Sequence, residues 1–433
     1  MSAAQVNPVR RLLWVAAGAT LVLVLALGVL VARQLRVEAL APVAGAVPVA
    51  APALIERGAY LARAGNCAAC HTARGGLPYA GGRAIETPFG QIFAGNLTPD
   101  AATGLGAWSA DAFWRAMHHG QSRDGRLLYP AFPYPQFSRV SREDSDALHA
   151  FLRSLPPVAQ ANRPHALRFP YSTQAALAVW RTLYFEPNAF EPDPAQSAEW
   201  NRGAYLVQGL GHCAACHSPR DALGGVNAAR EFTGSATPVD GWVAPSLRSP
   251  FEAGTSPAGT QALIELLKNG TTHAPGHEAT AMGPMAEVVF MSTQYLNEPD
   301  LRAMAVYLQT LASSDAAPPA APRAAAAQLA LGQQVYKQHC LDCHGESGEG
   351  ALSAYPALAG NRAVNLASPA NPVQAILSGG FAPATAGHPQ PYGMPPFRTL
   401  LNDAEIAAVA TFIRQSWGHP AGAVSALDVQ RLR

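Results

Sequence analysis

The chain has 433 residues and a formal net charge of +1, with 49% hydrophobic and 14% charged residues. Its length allows about three domains of ordinary size, and its near-neutral charge leaves no field to recruit nucleic acid or an acidic surface. Gly and Pro are abundant, at 38 and 37, which suits loop-rich domains built around something other than a large side-chain core.

At the start, Arg10 and Arg11 precede an uncharged stretch from Leu12 to Ala32. As a helix this spans about 30 Å, enough to cross a bilayer. The apolar core of a cleaved signal peptide runs to about 7–15 residues. This stretch is longer, so a retained anchor is expected, and the small residues of 41–53 mark the alternative cleavage region. Arg33 and Arg36 follow the stretch, so charge asymmetry does not orient it. Residues 1–53 are read as anchor or signal plus linker.

All six cysteines fall in three pentapeptides: Cys67-Ala-Ala-Cys70-His71, Cys213-Ala-Ala-Cys216-His217 and Cys340-Leu-Asp-Cys343-His344. Cys-x-x-Cys-His is the attachment signature of c-type haem. Two thiols at this spacing can add to the two vinyl groups of one porphyrin, and the adjacent histidine reaches the iron. A zinc site would need a second ligand pair at matched spacing, and a disulfide framework would not place His after every second Cys. Three covalently bound haem c groups are expected, on His71, His217 and His344. Such haem is attached outside the bacterial inner membrane, so the bulk of the chain is expected to face the periplasm, with Met1 cytoplasmic.

The chain repeats around these motifs. Arg57-Gly-Ala-Tyr60-Leu61, Arg202-Gly-Ala-Tyr205-Leu206 and Leu331-Gly-Gln-Gln-Val-Tyr336 each open an amphipathic helix leading into a motif. A short helix ending in Gly recurs over Asp111–Gly120, Gln261–Gly270 and Pro372–Gly380. A closing helix starts at Ser141, Asn297 and Asn402, with Asp144, Asp300 and Glu405 three residues on, resembling a capping box. Leu148, Met304 and Val409 match in it, as do Phe151, Tyr307 and Phe412, then Leu152, Leu308 and Ile413, one helical face. The expected fold is all-α: three tandem class I cytochrome c domains, at 54–155, 199–312 and 328–420, after an N-terminal transmembrane helix. Residues 156–198, rich in Pro and aromatics, connect the first two domains. Residues 313–327 form an Ala/Pro linker, read as a semi-extended spacer.

Longer phrases carry a resemblance. They include Gly95-Asn-Leu-Thr-Pro-Asp100, Asp124-Gly-Arg-Leu-Leu-Tyr-Pro-Ala-Phe-Pro-Tyr134, Gly283-Pro-Met-Ala-Glu-Val-Val289, Ser292-Thr-Gln-Tyr-Leu296 and Tyr392-Gly-Met-Pro-Pro-Phe397. By these the chain resembles the three-haem cytochrome c subunit of membrane-bound periplasmic dehydrogenase complexes. The resemblance implies an electron relay that accepts electrons from a catalytic dehydrogenase subunit (quinoprotein, flavoprotein or molybdenum hydroxylase) and passes them to ubiquinone or a terminal oxidase. The relay itself carries no catalytic residues, because the reaction belongs to the partner's cofactor. The alternative is a haem enzyme, a peroxidase or small-anion oxidase using an open first haem.

Sixth ligands are sought among methionines. Met394 is the only one after Cys340, in a Pro-rich loop before Asn402. Met285 follows Gly283-Pro284 and is preferred over Met282, Met291 and Met304. The first domain holds only Met117, three residues before Gly120 and so matched to Leu267 and Leu377. The expected ligand loop there carries Phe132, and His118 or His119 are the nearby substitutes. Trp108 and Trp242 are read as haem-packing aromatics, and Arg74, Arg83 and Arg220 as possible partners of propionates.

Overall fold

The computed structural model describes residues 8–36, 50–235, 241–311, 320–352 and 354–433. The apolar N-terminal stretch forms α1 (Pro8–Gln34), with side chains exposed along most of its length. The first domain follows as α2 (Pro52–Ala64), α3 (Cys67–His71), β1 (Ala84–Thr87), β2 (Gly90–Phe93), α4 (Ala110–His119), α5 (Tyr134–Phe137) and α6 (Arg142–Ser154). The connection holds β3 (Ala166–Leu167) and α7 (Gln174–Tyr184). The second domain has α8 (Ala198–Tyr205), α9 (Ala214–His217), α10 (Pro250–Ala253), α11 (Thr260–Asn269), β4 (Thr271–Thr272), β5 (Ala279–Thr280), α12 (Gly283–Met291) and α13 (Glu298–Thr310). The third has α14 (Ala326–His339), α15 (Leu341–His344), α16 (Arg362–Asn365), α17 (Ala370–Ser378), β6 (Gly380–Phe381), β7 (Gly393–Met394), α18 (Asp403–Gln415) and α19 (Ala426–Gln430). Helices dominate as expected, and the strands form three small antiparallel sheets, β1-β2-β3, β4-β5 and β6-β7.

Each domain is closed by one helix crossing: α2 on α6, α8 on α13, α14 on α18. A glycine permits each crossing. A Cβ at Gly58, Gly203 or Gly332 would overlap the carbonyl of Ala147, Ala303 or Ala408, so backbone meets backbone there. The closing helices start where expected. Ser141 Oγ accepts from Asp144 N, Asn297 Oδ1 from Asp300 N, and Asn402 Oδ1 from Glu405 N. Only the third completes the box, with Glu405 Oε2 accepting from Asn402 N at 2.9 Å. In the first two domains the acid is turned to other partners.

Some expectations shift. The helix cap expected at Gly380 is Gly379, with φ 61°, so the third-domain counterpart of Met117 is Ile376 rather than Leu377. The linker expected over 313–327 lies outside the described residues up to 319, and α14 has begun by Ala326. Val424 and Val429, past residue 420, join the core of the third domain. Arg202 to Cys213 is one residue longer than Arg57 to Cys67. A π turn over Leu206–Leu210 absorbs the surplus, the usual device for one extra helical residue.

The connecting segment does more than wrap. β3 adds to β2, and α7 packs along α1. Val31 of α1 lies against Leu177, Ala178 and Leu127. Arg181 of α7 donates from Nε to Gln34 Oε1 (3.1 Å) and from Nη1 to the His119 carbonyl (2.7 Å), joining α1, α7 and α4.

The first two domains share one apolar core, from Leu61 and Leu148 through Leu206 and Leu210 to Leu308. The third has its own, around Val335, Ile376, Ile406 and Ile413. It meets the second domain through the first residues of α16 and α17 set against loops and α10. Asn371 Oδ1 accepts from Val243 N (2.8 Å) while its Nδ2 donates to Val243 O (3.0 Å), and Arg362 N and Nη1 donate to the carbonyls of Glu278 (3.2 Å) and His277 (3.0 Å).

Candidate haem-binding sites

The three cysteine motifs fold alike. α3, α9 and α15 run to the histidine and stop there, at extended Thr72, extended Ser218 and Gly345 with φ 78°. In each, the histidine Nδ1 lies on a backbone carbonyl: His71 on Gly95 (2.7 Å), His217 on Pro245 (2.8 Å), His344 on Pro356 (3.0 Å). A carbonyl only accepts, so Nδ1 carries the proton. The ring is thereby oriented, and Nε2 keeps its lone pair for a metal. Burial lowers the pKa of all three imidazoles, and the carbonyl bond only partly offsets it. The neutral, ligating form is therefore favoured.

The cysteines are free thiols. Burial, and then repulsion from the second thiol of each pair, pushes Cys67, Cys213 and Cys340 up to about 12. A redox dithiol is activated by a lowered pKa, the opposite of what is found. Among the described residues no three His, Cys, Asp or Glu side chains converge as a metal cage, which argues against structural zinc. Paired thiols beside a pre-oriented neutral imidazole with Nε2 available fit a covalently held haem three times over.

Two arginines brace the first two motifs at the same point. Arg83 Nη1 donates to Ala69 O (2.6 Å), and Arg220 Nη2 donates to Ala215 O (3.1 Å), each carbonyl just before the second cysteine. Arg83 also pairs with Glu287 of α12, its Nη2 2.8 Å from Oε2, and Arg220 Nη1 donates to Gly224 O (2.7 Å). These contacts hold both side chains against the backbone of their motifs. Arg74 is exposed. Trp108 packs on the shared core. The Trp242 indole lies against Gly283, where a Cβ would overlap it.

Met394 sits in β7 opposite Gly380, partly buried against the third core. Met285, in the first turn of α12, packs on the shared core. Met282 points elsewhere: its Cε lies beside Gly380 of the third domain. Met304 is buried core, and Met117 is 5% exposed in the same cluster, as the counterparts Leu267 and Ile376 are in theirs.

What sequence reasoning missed is how the first two domains are tied. Asp144 accepts from Arg57 Nε (2.7 Å) and from the Tyr205 hydroxyl of the second domain (2.6 Å). Asp300 accepts from Arg202 Nε (2.8 Å) and from the Tyr60 hydroxyl of the first (2.6 Å). Each tyrosine oxygen also accepts the backbone N–H of the facing N-cap, Ser141 (3.2 Å) or Asn297 (3.3 Å). The two networks are reciprocal, as across a two-fold interface. The signal was visible: Arg-Gly-Ala-Tyr stands in the first two repeats, and Leu-Gly-Gln-Gln in the third. The arrangement also brings the first two motifs together. The Cys70 thiol is raised mainly by burial, and Cys216 is near enough to add to the effect by repulsion.

The profile of the cytochrome c family matches residues 55–156, 201–312 and 329–417. The cytochrome c subunit of a quinone-type alcohol dehydrogenase from Gluconacetobacter polyoxogenes is 39% identical over 413 residues, covering 89% of this chain and 85% of that one. The gluconate 2-dehydrogenase cytochrome c subunit of Pantoea cypripedii is 39% identical over 399 residues, covering 88% and 90%. A nicotinate dehydrogenase subunit from Pseudomonas putida is 40% identical over 371 residues, 84% of this chain but 30% of the longer relative.

Proposed function

This chain belongs to the cytochrome c family, and on that premise we propose that it is the membrane-anchored electron-transfer subunit of a periplasmic dehydrogenase complex. The observation that carries the reading is the threefold motif geometry: two free thiols, then a buried histidine whose Nδ1 is spent on a carbonyl. Bound haem would supply iron that cycles between two oxidation states. The protein's part is to hold each imidazole, exclude water around it and fix the spacing of the first two sites through the Asp144 and Asp300 networks. Met285 and Met394 are proposed as sixth ligands at the second and third sites. A catalytic subunit would deliver the electrons, and ubiquinone or a terminal oxidase would receive them. Relatives named as subunits of alcohol, gluconate and nicotinate dehydrogenases support the first half of that route.

α1 supports the anchor: its apolar span runs from Arg11 to Gln34 with none of it buried, and its end is docked on α7. We place the body of the chain on the periplasmic side, where haem is attached. The test is purification of the full chain from a host able to attach haem, with and without its catalytic partner subunit. Intact mass should exceed that of the chain by three haems and include residues 8–36. The haems should reduce when the partner's substrate is added to the complex and stay oxidised when it is added to this chain alone. Two haems or fewer, or reduction by substrate without a partner, would sink the reading.

A further inference from the structure

The hairpin that leads to the ligand loop gives a register between the first two domains that does not depend on sequence similarity. In the second domain the capping Gly270 is followed by Thr271, which pairs with Thr280, and Ala281 N donates to Gly270 O at 2.7 Å. In the first domain the capping Gly120 is followed by Gln121, which pairs with Leu127, and Leu128 N donates to Gly120 O at 2.8 Å. Leu128 and Ala281 are thus equivalent. Four residues past Ala281 stands Met285, and four residues past Leu128 stands Phe132. We infer that Phe132 occupies the sixth-ligand position of the first site, so that the iron held by His71 keeps an open coordination position that takes small neutral diatomic ligands.

The inference rests on the reading of three attached haems. Phe132 has no donor atom. Its ring lies 5.4 Å from that of Phe137 and 6.4 Å from that of Tyr134, an apolar wall that favours a neutral ligand over an anion. Met117, His118 and His119, the nearby substitutes, stand on α4 rather than in this loop. Met117 is core, like Leu267 and Ile376. His118 stands where the second domain has Lys268, whose Nζ donates to Leu296 O (2.7 Å) at the foot of the closing helix. The His118 ring is stacked on Trp114 at 4.4 Å. The third domain uses another register, with Met394 itself opposite Gly380 in the strand, so the equivalence concerns the first two sites.

The test uses the full holoprotein, with three haems verified by intact mass, so a shortfall in haem would count against the proposed function and be seen before this test begins. The oxidised protein should show far-red sulfur-to-iron absorption from two haems. The reduced protein should bind carbon monoxide at one haem in three. Phe132→Met should bring the sulfur-ligated count to three and abolish carbon monoxide binding. Phe132→Leu, as a control for folding, should leave both as in the parent. Three sulfur-ligated haems in the parent, with one lost in Met117→Leu, would overturn the inference. So would failure to bind carbon monoxide in the parent, with binding gained in His118→Gln.

Discussion

The first and second domains are joined differently from the second and third, though all three repeats are built alike. The same acid, three residues into the closing helix, shows the difference. Glu405 folds back to cap its own helix. Asp144 and Asp300 instead each collect an arginine from their own domain and a tyrosine from the neighbour. The first junction is therefore a shared apolar core with reciprocal buried carboxylates, and the second is a smaller contact with hydrogen bonds from the starts of α16 and α17 to loops. A buried interface of the first kind holds two sites as one body, whereas a smaller junction without a shared core permits adjustment.

The strongest way to break this contrast is to force apart one helix crossing in each region. Gly203→Val drives a side chain into the Ala303 carbonyl, and Gly332→Val does the same at Ala408. Backbone cannot move aside as a side chain does, so each should cost on the order of 4 kcal/mol or more. Limited proteolysis should show Gly203→Val loosening the first and second domains together and Gly332→Val loosening the third alone. If the first domain stays intact in Gly203→Val, the shared-core picture is wrong.

Next in size are the acids themselves. Asp144→Ala or Asp300→Ala strands an arginine and a tyrosine, and should cost about 3 kcal/mol, the low end for a broken buried pair because the arginines keep some solvent. Glu405→Ala removes only a cap contact, about 1 kcal/mol. Denaturant midpoints with unchanged slopes would measure both, and equal costs would erase the distinction between the regions.

Acid offers a gentler probe. Burial raises the Asp300 carboxyl, but hydrogen bonds from Arg202 and Tyr60 outweigh it and hold the group below its ordinary value. Its contribution is complete above the unfolded value of about 3.9 and is lost as pH falls through the lower folded one. Amide exchange at the α2–α13 contact should therefore rise below about pH 4, and Asp300→Asn should remove that dependence. The Asn371–Val243 pair does not titrate and should not respond. Smallest of all, Asn371→Ala should cost about 1 kcal/mol and make the third domain more mobile relative to the second, measurable by inter-domain distance labels.

Local features were legible in the sequence. The cysteine motifs, the N-caps and the crossing faces were all set by short-range pattern, and the structure keeps them. Boundaries slipped where two glycines stood together, at Gly379 and Gly380, because either satisfies a positive φ. What could not be read was direction. An acid three residues past an N-cap serves equally well as a capping box or as an acceptor for a distant tyrosine, and only the neighbour's position decides. Arg83 is a similar case: nothing in its local sequence pointed to Glu287, which the fold brings to it from the next domain.

The joint between α1 and α7 has a practical consequence. An apolar anchor on a flexible leash can be cut away without the rest noticing. Here Val31 covers Leu177 and Ala178, and Gln34 shares Arg181 with the carbonyl of His119. In the anchored arrangement proposed above, α1 would be a mast stepped into the first domain, setting the tilt and stand-off of that domain above the lipid. A shortened chain begun after residue 36 would lose that footing and leave Leu177 facing water. It should need detergent even without its spanning segment.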